Sequence, residues 1–285
     1  MNEQSSSNVS KSPGLLPKWF WVLSLSLVFV FSVIWHLPIS PLLNSAEELL
    51  PPDLKNLSFE SSQGGIWEGE TQLNWALDKQ SEELNLGRLQ WEQSPANLLN
   101  SLSPVLKWQT QFGQWQGEIE RSWMQEQVHF KTHSFEMDVK NFLAWLAPFA
   151  RVPFEVQADV TSKKMEVSWS PSSLVTAIDG RLLVKNLSTM GVSMPPLTVT
   201  FFMPNKETQV IEWSISGQES GWEINGKGVL KAKPKTADFG YYEGEVVVNA
   251  KSAEQMPDFA HLLPQISPTQ AKMTLNGNLK QLRMP

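Results

Sequence analysis

A pair of carboxylates and a pair of histidines are the residues whose types and spacing could do chemistry in this sequence. Glu118 and Glu120 lie two apart beside Trp115, in a stretch that alternates like a strand. They would share one face with Cα atoms about 6.5–7 Å apart. Paired carboxylates at that distance are the arrangement of glycoside hydrolysis, and Trp rings are common platforms for sugars. A solvated acidic face, with Arg121 and Lys107 nearby, accounts for the pair equally well. His129 and His133 are four apart on a second expected strand. A rise of about 3.3 Å per residue puts them roughly 13 Å apart, too far to ligate one metal unless the strand bends. His36 and His261 lie in other segments. The chain has no cysteine, which excludes disulfides, Cys-ligated zinc, iron–sulfur clusters and thiol nucleophiles. Gly64-Gly65 lacks the Lys-Ser/Thr that completes a phosphate loop. No nucleophile elbow appears. No catalytic residue, metal ligand or cofactor is therefore expected.

The elements that would carry these residues read as strands. Period-two alternation recurs at Val152–Val160, Met165–Trp169, Leu197–Met203, Ile211–Ile215, Ile224–Leu230, Tyr242–Ala250 and Met273–Leu279. Strands with one apolar and one polar face are the habit of antiparallel sheets, and Gly-, Asn- and Pro-containing turns between them suggest a meander of hairpins. Helix signals are few. Ser94-Pro95 offers an N-cap and first-turn proline, with Pro104 ending the segment. Asp138 can cap a short helix through Asn141 to Ala147, and Ser252 with Gln255 resembles a capping box before Met256–Leu263. The sequence has 285 residues, 18% charged and 41% hydrophobic, with a net charge of −6. That acidic balance argues against a nucleic-acid partner. Core packing in a wide sheet accounts for most of the Trp residues after the first segment.

That first segment reads as an anchor. Residues 1–18 are polar, and no Asp, Glu, Lys or Arg occurs from Trp19 to Ala46. A helix from Leu15 to Trp35 would be about 31 Å long, matching the roughly 30 Å hydrocarbon core of a bilayer. Trp19, Trp21 and Trp35 fall near its ends, where indole rings favour the headgroup region. A cleaved signal peptide is the competing reading, but Phe31 to Trp35 offers no small-residue exit. Lys11 and Lys18 precede the run, while Glu47, Glu48 and Asp53 follow it, so the amino terminus should stay cytoplasmic. The expected organisation is a tail over 1–18, a span over 19–37 and an external β-rich domain over 38–285.

Several local patterns line up with one family. Trp35-His36-Leu37-Pro38 follows the anchor, and Gly64-Gly65-Ile66-Trp67-Glu68-Gly69 opens the strands, followed by Leu73-Asn74-Trp75. Then come Leu86-Gly87-Arg88-Leu89-Gln90-Trp91, Pro95-Ala96-Asn97-Leu98-Leu99 and a closing Leu275-Asn276-Gly277-Asn278-Leu279. In this order they resemble the general secretion pathway protein N family of the type II secretion system. The resemblance implies a bacterial inner-membrane accessory component that works with other inner-membrane subunits to export folded proteins across the outer membrane. It also implies a large antiparallel, grooved, AsmA-like periplasmic β-sheet with a few short helices. That kinship leaves a second function open, lipid or acyl-chain binding and transfer. On its own chemistry, Gly64, Gly65 and Gly69 suit a tight turn, with Trp67 as a large apolar anchor against the sheet.

Overall fold

The structure is a computed structural model. It describes residues 25–26, 28–29, 32, 38–41, 43, 56–76, 83–97, 101–122, 124, 127–147, 155–170, 173–189, 191–204, 209–232 and 240–278. The strands are β1 (Leu57–Gly64), β2 (Glu68–Ala76), β3 (Glu83–Glu92), β4 (Ser101–Leu102), β5 (Val105–Thr110) and β6 (Gly113–Ser122). Next come β7 (Val128–Asp138), helix α1 (Val139–Leu146), β8 (Val156–Ser170), β9 (Ser173–Thr189), β10 (Val192–Ser193) and β11 (Leu197–Phe202). The chain continues through β12 (Val210–Glu219), β13 (Trp222–Ala232), β14 (Gly240–Ala250), β15 (Gln265–Ser267) and β16 (Gln270–Asn278). All sixteen join one sheet. Its path follows the chain from β1 to β14 and ends β14-β16-β15, with the short β4 and β10 pairing beside it on β6 and β9. Every pairing is antiparallel. The fold is mainly β, as the alternation requires.

Register sorts the residues cleanly by face. One row of directly paired positions crosses the sheet as Gly64, Gly69, Trp91, Leu106, Gly117, Thr132, Met165, Gly180, Phe201, Trp213, Gly228, Gly244 and Leu275. Because paired residues point the same way, that face is largely apolar, with Thr132 buried in it. A row three residues along β6 carries Glu120, His129 and Ser168 on the other, polar face. Among the described residues, only one helix and two 3₁₀ segments lie outside the strands and their turns.

Among the described residues, two covers lie over the apolar face, both at the strand ends that carry the β5–β6 turn and the β12–β13 turn. Helix α1 starts where the Asp138 carboxylate accepts from Asn141 N at 3.0 Å, capping its first turn. Its Phe142 and Trp145 rings pack on Phe112 at 5.2 and 5.1 Å, and Trp145 Nε1 donates to Asn85 O at 3.2 Å. Two 3₁₀ segments, Ala253–Gln255 and Asp258–Leu262, form the second cover. Met256 and Ala260 there meet Leu197, Ile224, Val248 and Ala271, the largest buried apolar cluster among the described residues.

One helix expectation fails here, and a second fails at its far end. Ser252 makes no side-chain cap, and Met256, extended before Pro257, separates the two short 3₁₀ pieces. A residue preceding proline is pushed out of the helical region. The segment expected to be helical from Ser94-Pro95 to Pro104 has a turn at Pro95-Ala96 and a 3₁₀ residue at Asn97; 98–100 lie outside the described residues, and Ser101–Leu102 is strand, paired with β6. The buried Gln93 carboxamide accepts from Ser103 N at 3.1 Å, and Asn97 donates to Ser103 Oγ at 3.0 Å. These side-chain bonds tie Gln93 and Asn97 to Ser103.

Away from the covers, aromatic rings lie on glycines. A Cβ added to Gly69 would sit 2.3 Å from Trp91 Cζ2, and one on Gly117 2.3 Å from Trp115 Cζ2. At Gly228 and Gly244 it would sit 2.5 and 2.4 Å from Trp213 Cζ2. Each ring covers strand backbone that a side chain would otherwise shield, the device known as aromatic rescue. Trp115 also stacks on Phe130, with centroids 4.8 Å apart.

Candidate functional site

The first candidate is the turn between β1 and β2. Gly64 adopts φ +91, and Gly65 N donates to Glu68 O at 2.9 Å. A Cβ on Gly64 would meet Glu68 O at 2.4 Å, so only glycine fits both the angle and the space. The neighbouring strand holds the turn twice: Trp91 Nε1 donates to Gly65 O at 3.0 Å, and Gln93 N donates to Trp67 O at 2.6 Å. Trp67 itself is half-buried, and the ring laid on Gly69 belongs to Trp91. The turn also receives the chain that follows the expected anchor. Pro38 bridges Gly65, Ile39 N donates to Gly64 O at 3.3 Å, and Ser40 Oγ donates to Ser62 O at 3.3 Å.

Trp19, Trp21 and Trp35 lie outside the described residues. Leu25, Ser26, Val28, Phe29 and Ser32 are helical, with Leu25, Val28 and Phe29 76%, 63% and 67% exposed. Among the described residues no helix is long and apolar enough to cross a membrane.

The paired carboxylates lie on the polar face of β6, and a strand partner takes them up. Lys131 of β7 sits opposite Glu118 and reaches Glu120 Oε2 at 3.2 Å. That hydrogen bond, with the charges of Glu120, Glu118 and Glu166, raises the Lys131 ammonium above its ordinary value against the opposing effect of burial. Neither Arg121 nor Lys107 ion-pairs with the two carboxylates. Lys131, from the neighbouring strand, was the residue that sequence spacing could not supply.

The histidines separate. His129 Nδ1 lies 2.8 Å from Ser168 Oγ on β8. His133 is exposed in a bulge, where Gln116 pairs with Ser134 but Gly117 with Thr132. The bulge breaks the period that would place both on one face. Among the described residues, no group of three His, Cys, Asp or Glu could hold a metal ion. Glu120, His129 and Ser168 do line up across three strands, an order of carboxylate, imidazole and hydroxyl. The Glu120 carboxylate is bound to Lys131, and the row lines none of the described hollows.

Three open hollows of about 490, 570 and 770 Å³ are lined largely by polar-face residues. The first borders the β1–β2 turn, with Glu68, Glu70, Gln90, Glu92 and Lys107. The largest spans β11 to β16, with Glu212, Lys227, Glu243, Glu245, Lys272 and Asn276, and Phe202 on its rim is 52% exposed. Lys272 binds Glu245 at 2.6 Å and, with Lys227, holds that carboxyl below its ordinary value. A void on the apolar face, between Trp108, Phe112, Trp115 and Phe135, measures only about 20 Å³, far below the 300 Å³ or so of a ligand pocket.

No family model matches this chain, and no curated protein or solved structure matches it either.

Proposed function

We propose that this chain is an inner-membrane accessory subunit of the type II secretion system, an assembly or bracing protein whose β-sheet stands in the periplasm. In this reading residues 1–18 are cytoplasmic, 19–37 cross the membrane once and 38–285 lie outside it. The observation that carries the tether is the clasp of Pro38, Ile39 and Ser40 on the Gly64-Gly65 turn. Ile39 lies two residues past the proposed span, so the turn stays within about 7 Å of the chain's exit from the membrane. A sheet fastened that closely is carried as a rigid extension of its anchor. Exposed apolar side chains on the helical residues Leu25, Val28 and Phe29 suit a lipid-facing helix. The secretion assignment itself rests on the resemblance of the Gly64–Gly69 turn and the Trp-bearing strands.

Deleting the coding region tests this. Secreted proteins should accumulate in the periplasm, and the full chain should restore export while a chain lacking residues 1–37 should not. Unchanged export would contradict the proposal.

A second reading, acyl-chain binding, is favoured by one observation: among the described residues, only α1 and the two 3₁₀ segments cover the apolar face. Lipid co-extracted in fixed ratio with the purified chain would support it.

A further inference from the structure

The two edges of the sheet are guarded unequally. β1 is bulged between Glu60 and Gln63, with Ser61 at φ +49, and its turn end is bridged by Pro38. Bulges and covering segments are the usual protection of an edge. At the opposite side, β15 pairs only with Gln270 and Ala271 at the start of β16, and Lys272 N donates outward to Pro264 O at 2.9 Å. Alternation then turns the amides and carbonyls of Thr274 and Asn276 outward as well. No described residue takes those groups. From Met273 to Asn276 the edge has neither charge nor proline, so the other usual guards are missing too.

The open edge borders the largest polar hollow. Thr274 and Asn276 line it together with Glu212 and Glu243. Both lysines of that hollow lie against Glu245, at 3.9 Å from Lys227 and 2.6 Å from Lys272. Glu212 and Glu243 make no side-chain hydrogen bond or ion pair, so the uncommitted charge beside the edge is negative. On the other face the same edge shows Met273 and Leu275.

We infer that the outer edge of β16 at Thr274 and Asn276 accepts an extended strand of a partner protein that alternates basic and apolar residues. Backbone bonds to Thr274 and Asn276 would supply the pairing, and alternate side chains the selection. A Lys or Arg opposite Asn276 would lie two strands from Glu243, about 10 Å between Cα atoms, within the combined reach of the two side chains. Its apolar neighbours would extend the face of Met273 and Leu275. This deepens the assembly reading, because it says what a docking subunit must present.

The test uses the full chain in detergent micelles, where binding is read independently of export. The probes are the capped peptide Lys-Val-Lys-Val-Lys-Val-Lys and its Glu-Val counterpart. The lysine peptide should slow hydrogen exchange at Thr274 and Asn276, and the glutamate peptide should bind roughly tenfold or more weakly. Thr274→Pro removes an outward N–H while leaving the ladder to β14, and it should weaken the lysine peptide by about tenfold. Glu243→Gln, on the open polar face, should weaken it several-fold and flatten its salt dependence. Equal binding of both peptides, or no protection at Thr274 and Asn276, would overturn the inference. So would a wild-type dimer that Thr274→Pro converts to monomer, since a second copy would then occupy the edge.

Discussion

Gly244→Ala should be the most informative single substitution in the sheet. Its new Cβ would lie 2.4 Å from Trp213 Cζ2, 2.7 Å from Lys227 O and 3.0 Å from Gly228 Cα. Carbon atoms in ordinary contact stand about 3.5–4.0 Å apart, so the indole must lift by an ångström or more and uncover the backbone of β13 and β14. Overpacking of that kind costs about 1–3 kcal/mol. Gly226→Ala is the matched control on the same face of β13: its nearest neighbours would be Val246 Cγ2 at 3.1 Å and Glu245 O at 3.2 Å. With smaller shifts needed, and with the entropic weakness of a strand glycine relieved, it should be neutral or gain up to about 1 kcal/mol. Urea unfolding of the full chain in micelles, followed by far-UV circular dichroism, measures both. The decisive step is to repeat Gly244→Ala in a Trp213→Leu background. If the ring is the obstacle, the penalties couple by at least about 0.5 kcal/mol. Strict additivity would refute ring-on-glycine packing as the cause.

Trp67→Ala should cost roughly 1–3 kcal/mol, below the 3–5 of a fully buried ring, because Trp67 is half-buried; denaturant titration decides. Lys272→Met should remove the contact that holds the Glu245 carboxyl low. A lowered carboxyl stabilises the fold above its unfolded value and loses that contribution as pH falls through the folded one. The melting-temperature gap between wild type and variant should therefore be widest near neutrality and close in strong acid. Hydrogen exchange should be slowest in β13, β14 and β16, around Ile224, Val248 and Ala271, where the buried cluster sits, and faster in β1 to β3. Intact-mass analysis of membrane-extracted protein should retain the residues before Lys18; a chain beginning after Ser40 would refute the uncleaved anchor.

Alternation made the strands legible, because a half-buried strand must repeat every second residue whatever it pairs with. The α1 cap was legible for the same local reason, since Asp138 and Asn141 are three residues apart. What local reasoning could not supply was pairing. Lys131 meets Glu120 across strands, and the bulge that exposes His133 depends on the register of β6 against β7. At the far end of the segment opened by Ser94-Pro95, Ser101–Leu102 is strand through its non-local pairing with β6. The glycines carry a further local signal. Gly228 and Gly244 fall at positions whose parity along the strand is otherwise apolar. A glycine in an apolar column points to a ring lying over it.

Co-purification is the direct test of the proposal that this sheet belongs to a secretion assembly. The full chain, solubilised from its native membranes in mild detergent and captured by a carboxy-terminal tag, should bring down inner-membrane subunits of the type II secretion system in reproducible ratio. Capture of phospholipid alone, with none of those subunits, would contradict it.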